Sequence, residues 1–138
     1  MKKNILIIFL IASNVLFSQT TVTKKLGDFY KIKVYSGINV ELLKSNEHKI
    51  EVTGEKSENI KIKNSDGILK ISLKFPDLLA DGKVNVKLYY NEDIQVIDGN
   101  EGSIITGKDI NQTHIEVKAQ EGAFIDLEIK TKHLKVKS

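Results

Sequence analysis

Two carboxylates, Glu101 and Glu121, stand twenty residues apart and each is followed by a glycine; two histidines, His114 and His133, stand nineteen apart. Carboxylates brought together by a fold can serve as acid and base in glycoside hydrolysis. Imidazoles aligned on neighbouring strands could share Zn²⁺ or Cu²⁺. The run Asp98-Gly99-Asn100-Glu101-Gly102 is rich in the oxygen ligands that Ca²⁺ takes. Each chemistry needs more than these residue types. A glycosidase needs several convergent groups and rings on which sugars stack, and the chain has no Trp and 7% aromatic residues. The histidine pair has no evident third ligand, and His48 has no histidine partner at close spacing. The run 98–102 lacks the distant bidentate Glu of a calcium loop. The expectation is therefore a ladder of surface carboxylates, solvated turn histidines at 48, 114 and 133, and a turn at 98–102. No catalytic, cofactor-binding or metal-ligating residue is assigned, no cofactor is expected, and the chain is read as not an enzyme.

Other chemistries are excluded more simply. Zero Cys removes disulfides, thiolate metal sites, a cysteine nucleophile and lipid attachment through cysteine. No serine lies in a Gly-x-Ser-x-Gly pattern and no glycine-rich phosphate loop is present. Asn111-Gln112-Thr113 matches a glycosylation acceptor, a tripeptide common by chance. All 21 basic residues are Lys. Arginine is the preferred fork for phosphate and guanine edges, so its absence argues against a nucleic-acid partner.

The 138 residues suit one domain, and 41% hydrophobic content argues against disorder. Residues 1–18, MKKNILIIFLIASNVLFS, combine two lysines, an apolar run from Ile5 to Ile11 and a small-residue end. That is the pattern of a secretory signal peptide, with Gln19 as the new N-terminus. Its removal takes away Lys2 and Lys3 and no acid, so the formal charge of +3 falls to +1.

The elements that must position the candidate residues are strands. Tyr30, Ile32 and Val34 alternate with polar residues, and so do Ile38-Val40-Leu42, Leu69-Ile71-Leu73 and Val84-Val86-Leu88-Tyr90. A period of two gives each strand one apolar face and one wet face. No helical face of useful length follows residue 20. Asp66-Gly67, between two such runs, predicts a tight hairpin, and Pro76 to Lys83 a loop. Tyr89 and Tyr90 fall on opposite faces, so one of them is expected to be exposed.

After Val84 the hairpins give way to repetition. Ile94-Gln-Val96 aligns with Ile115-Glu-Val117 at a spacing of 21, and the latter with Leu134-Lys-Val136 at 19. The Glu-Gly pairs repeat at 20, followed by Ile104-Ile105 and Phe124-Ile125. A period near twenty suggests coils of a β-solenoid stacked on one another, with glycines at the corners. An antiparallel β-sandwich with similar strands is the alternative.

The stretch DFYKIKVYSGINVELLKSNEHKIEVTGE, followed by NIKIKNSDGILKISLK, resembles the head GIN domain family of exported, auto-transporter adhesin-type proteins found mostly in Bacteroidota. The residues that carry it are Phe29, Ile32, Val34, Gly37-Ile38-Asn39, Val40 and Asp66-Gly67-Ile68-Leu69-Lys70-Ile71. The resemblance implies a strand-rich head running into a right-handed parallel β-helix, a cell-envelope or surface location and no catalytic residues. Family members usually continue for further coils, whereas this chain stops at His133-Leu-Lys-Val-Lys-Ser138, so it reads as a short or truncated member.

The resulting expectation is an all-β exported protein: signal peptide 1–18, then one domain over 19–138, with a head at 25–90 and short right-handed β-helix coils at 91–138. Its expected role is a non-catalytic surface interaction or adhesion module in the periplasm, on the outer membrane surface or outside the cell. The ligand class is a glycan or protein of the envelope, with no nucleic acid. A scaffold self-associating through the open end of the β-helix is the second reading. A carbohydrate-active β-helix enzyme is the third, and the missing aromatics count against it.

Overall fold

A computed structural model describes residues 21–81 and 83–138, so the leader at 1–18 and Gly82 lie outside the described residues. Twelve strands follow in order: β1 Val22–Lys25, β2 Lys31–Val34, β3 Asn39–Lys44, β4 Lys49–Thr53, β5 Ile60–Ser65, β6 Ile68–Leu73, β7 Asn85–Tyr90, β8 Val96–Gly99, β9 Ile104–Asn111, β10 His114–Ala119, β11 Phe124–Lys130 and β12 His133–Lys137. A 3-10 turn at Ser57–Asn59 is the one helical element among the described residues.

The all-β expectation holds, and the strands form two mixed sheets. One has the order β1-β4-β7-β3-β9-β11, the other β12-β10-β8-β2-β6-β5. Both line one apolar core, with Val40, Ile50, Val86, Leu88 and Ile105 from the first sheet and Ile32, Val34, Leu69, Ile71 and Ile97 from the second. The sandwich alternative fits this layering. Strand direction is mixed: the β1–β4, β4–β7 and β5–β6 ladders are antiparallel, and the remaining seven are parallel.

Register explains why the alternating sequence gives this core. In the second sheet Val136, Val117, Ile97, Ile32 and Leu69 are successive partners, so one inward row crosses five strands. In the first sheet Val22, Val52, Val86, Val40, Ile105 and Ile125 form a like row across six. Branched side chains stacked in this way fill the pleated surface on which they are favoured. Burying each such side chain fully contributes about 1.5–3 kcal/mol.

The structure corrects two expectations. The spacing of 21 between Val96 and Val117 is one residue too long: Val96 pairs with Glu116, and Ile97 pairs with Val117. A slip of one residue turns every side chain to the other face, and the wholly buried Ile97 fixes the choice. Tyr30 does not continue the inward row of Ile32 and Val34; it is exposed and lies over Gly67, while the neighbouring Phe29 is buried. Between the runs ending at Val34 and starting at Ile38, Ser36 and Gly37 turn the chain and carry it into the other sheet.

The corners are two-residue turns. Ser36-Gly37, Glu101-Gly102 and Glu121-Gly122 all have positive φ, between 51° and 77°. Each turn is closed by a backbone bond across it: Ile38 N–H to Tyr35 C=O, Ser103 N–H to Asn100 C=O and Ala123 N–H to Gln120 C=O. The turns also bond to one another. Gly37 N–H donates to Glu101 C=O at 2.9 Å and Gly102 N–H to Glu121 C=O at 3.0 Å. Asp66-Gly67 closes the expected β5–β6 hairpin with the same pair of positive φ values.

Two glycines respond differently to an added methyl. At Gly102, φ is +70° with open space around the missing side chain, so Gly102→Ala is expected to cost about 1 kcal/mol from backbone strain alone. At Gly54, φ is +115° and a Cβ would sit 2.1 Å from the Lys83 carbonyl oxygen. Gly54→Ala is expected to cost about 3 kcal/mol or more. Urea denaturation of the two variants, measured side by side, checks the order.

Candidate functional site

The corner turns determine what Glu101 and Glu121 can do. Both occupy the first turn position, and the backbone carbonyl of each accepts a bond from the turn beside it. The Glu101 carboxylate is used locally as well: Oε2 accepts from Ser36 N–H at 3.0 Å. Burial pushes the neighbouring Tyr35 phenol above its ordinary pKa, and the charges of Asp98, Glu101 and Glu121 add to that. This corner is built to hold turns in register. The run 98–102 is committed in the same way. Asp98 Oδ1 accepts from Asn100 Nδ2 at 3.0 Å and Gln120 Nε2 at 3.2 Å, and Ser103 Oγ accepts from Asn100 N–H at 3.0 Å.

His114 and His133 are brought together. They are register partners on β10 and β12, and their rings stack with centroids 4.6 Å apart and planes 12° from parallel. Among the described residues no group of three or more His, Asp or Glu side chains is arranged to hold a metal ion. His48 departs from the expected solvated turn residue. It is buried against Phe29, 4.8 Å between ring centroids. Its Nδ1 lies 3.3 Å from Gly27 C=O and 3.5 Å from Asp28 Oδ1, and its Nε2 lies 3.4 Å from Glu92 N–H. Gly27 and Glu92 lie 21 and 44 positions away, so short-range spacing could not reveal them. Gln112 within the acceptor tripeptide is also buried, bonding Ile94 C=O and His114 C=O. Tyr90 faces the core, where burial raises its phenol pKa, and Tyr89 lies outside under the Lys49 ammonium, 4.6 Å from its ring centre.

What remains is surface: two broad sheet faces. A shallow groove on the first sheet is lined by Asn39, Glu41, Glu51, Asn85, Lys87 and Ile104. On the second sheet, Glu116 Oε1 sits 3.2 Å from Lys137 Nζ, 3.8 Å from Lys118 Nζ and 4.0 Å from Lys135 Nζ. Composition pointed to neither feature.

The model of the family described as "putative auto-transporter adhesin, head GIN domain" matches residues 28–138. The chain belongs to this head GIN domain family. Its fold is similar to solved structures of low sequence identity. One, described as a "putative adhesin" from Bacteroides fragilis NCTC 9343, has a TM-score of 0.71 at 13% identity, over 87% of this chain and 58% of that one. A "putative lipid binding protein" from Parabacteroides distasonis ATCC 8503 has a TM-score of 0.65 at 15% identity, over 85% and 61%. A "putative adhesin" from Parabacteroides merdae ATCC 43184 has a TM-score of 0.52 at 17% identity, over 85% and 57%. This head GIN chain thus spans about three-fifths of the length of the solved structures it resembles. No curated protein matches its sequence. Among the described residues no helix is long and apolar enough to cross a membrane.

The Glu116 cluster gives a pH dependence. The Lys137 ammonium, 3.2 Å away, holds the Glu116 carboxyl below its ordinary pKa, helped by the charges of Lys118 and Lys135 and opposed by burial. A depressed carboxyl contributes stability above its unfolded pKa of about 4.3, and the contribution is lost as pH falls through the folded value. Wild type is therefore expected to melt above Glu116→Gln near neutral pH. The gap should narrow as pH is lowered below the unfolded value of about 4.3, in thermal denaturation followed by circular dichroism.

Proposed function

We propose that the chain is a non-catalytic interaction module of the cell envelope or surface, exported by the leader at residues 1–18. The observation that carries this reading is the use made of the chemically capable residues. Glu101, Asp98 and His48 are engaged in turn and packing contacts, while the two six-stranded sheets each present an outward face. The family assignment supports the same reading. In the fold we infer, the parallel ladders of β8, β10 and β12 and of β9 and β11 are coils of a short right-handed β-helix at 91–138, and residues 25–90 form its head. Register offsets of 19 and 20 residues support the coils, as in Val96 with Glu116, His114 with His133 and Ile104 with Phe124. β2 and β3 pair with β8 and β9, so head and coils share their sheets.

Saturable binding to purified envelope fragments, with no hydrolysis of polysaccharides by wild type, is the expected outcome. Turnover that disappears in Glu101→Gln or Glu121→Gln would overturn the reading.

One observation favours a second role, association between copies. Edge strands β11 and β12 leave apolar groups uncovered, with Leu134 54% and Val136 65% exposed on the inward row. Strand edges and uncovered core rows of this kind pair with further strands. Sedimentation velocity is expected to show concentration-dependent growth that Val136→Glu abolishes; a monomer at all concentrations would remove this role.

A further inference from the structure

The second sheet carries a row of lysines that no single strand reveals. Reading partners across its six strands, Lys137 pairs with Lys118, Lys118 with Asp98, Asp98 with Lys33, Lys33 with Lys70 and Lys70 with Lys63. Five lysines and one aspartate thus cross the sheet in one line, at about 4.8 Å per strand. The flanking inward rows are apolar, so the lysines of this row face out, while Asp98 between them is buried beneath its bonds from Asn100 and Gln120. Lys31 and Lys135 lie in the next outward row, with Glu116 between their strands, and Lys61 pairs with Ser72 beyond. Eight lysines and two acids give this face a formal +6 in a chain of +3 overall, so the rest of the molecule is net acidic.

Chance alternation in a lysine-rich chain does not account for the row. The corresponding outward row of the first sheet runs Thr23, Glu51, Lys87, Glu41, Thr106 and Asp126, with a single lysine between two glutamates. Opposite charges across strands are stabilising and like charges opposed are not. The lysine row keeps the unfavourable arrangement. Lys31 shows its effect: burial and the charges of Lys33 and Lys118 lower its pKa.

We propose that this face binds a linear anionic polysaccharide bearing repeated carboxylates, laid across the strands along the row. Charge complementarity selects a polyanion, and a row of one residue per strand across six strands selects an extended one. Of the large exposed hydrophobic residues, Phe75, Leu78, Leu79 and Phe124 lie outside the six strands of this sheet, and Leu134 and Val136 of edge strand β12 belong to its inward rows, so the outward lysine row itself has no apolar anchor of the kind a membrane surface takes. The row carries neither arginine nor an aromatic platform for bases, which counts against single-stranded nucleic acid. Asp98 and Glu116 set the spacing of charge within the face, and Glu116 holds Lys118, Lys135 and Lys137 close together.

This assignment rests on the reading of the chain as an interaction module, and the test separates the two. Polygalacturonate is titrated onto the full chain at low and moderate salt, beside dextran, phosphatidylglycerol vesicles and duplex DNA. Saturable binding to polygalacturonate is expected, absent for dextran and weakening with salt. Lys33→Glu with Lys70→Glu should weaken it about tenfold or more, and Glu116→Gln should strengthen it about two- to threefold. Lys87→Glu, on the other sheet, should leave it unchanged, with circular dichroism confirming that each variant folds. No binding, binding indifferent to Lys33 and Lys70, or binding to vesicles or DNA as tight as to the polyuronate overturns the proposal. If envelope fragments are still retained in that case, the interaction reading stands and the glycan assignment alone falls. If neither is retained, both fall.

Discussion

Everything in this molecule depends on strands distant in sequence lying in strict parallel register. Seven parallel ladders put residue on residue across offsets from 19 to 65 positions, as in His114 with His133 and Lys31 with Val96. Because side chains alternate, one choice of register fixes both faces of a sheet at once. It places Val117, Ile97, Ile32 and Leu69 in one buried line and the lysines in one exposed line. A shift by one residue in the β8–β10 or β2–β8 ladder would bury Lys118 or Lys33 among aliphatic groups, a change that desolvation makes prohibitive. The apolar rows therefore set the positions of every outward residue.

The turns enforce that register. A two-residue corner with positive φ at both positions reverses or redirects the chain in the least length, and glycine at the second position accepts it without strain. Stacked corners then bond through Gly37 N–H to Glu101 C=O and Gly102 N–H to Glu121 C=O, locking one turn to the next. This is why the repeated Glu-Gly pair resembles a site in sequence and acts as a joint in structure. The glutamate at Glu101 adds its carboxylate to Ser36 N–H, a structural use of a group that could have been chemical.

Much of this was legible in the sequence because it is local. The β5–β6 hairpin rests on Asp66-Gly67, the period near twenty on the Glu-Gly pairs, and the opposite placement of Tyr89 and Tyr90 on parity alone. What escaped depends on which strands become neighbours. Ile97 rather than Val96 faces the core because β8 must match Ile32 in β2, 65 residues earlier, as well as Val117. His48 is buried because Phe29 and Glu92 converge on it from distant segments. The lysine row was out of reach for the same reason. Lys63, Lys70, Lys33, Lys118 and Lys137 each look like an ordinary wet position in an alternating strand.

That separation of roles between faces has a consequence for how such a fold can carry function. The inward rows are constrained by packing, since interiors are dense and felt down to one methylene. The outward rows are constrained only by cross-strand pairing, which is worth about 0.2–1 kcal/mol per pair. A face can therefore hold an unfavourable row of like charges at modest cost, provided the core beneath it is intact. On the first sheet the outward charges alternate in sign across the strands, Glu51 beside Lys87 beside Glu41, and Lys49 pairs with Glu51 at 3.2 Å. On the second they leave a line of cations relieved only by Asp98 and Glu116. The same scaffold thus supports one face at rest and one with unsatisfied charge, and unsatisfied charge in a fixed row is what a rigid β surface can offer an extended partner.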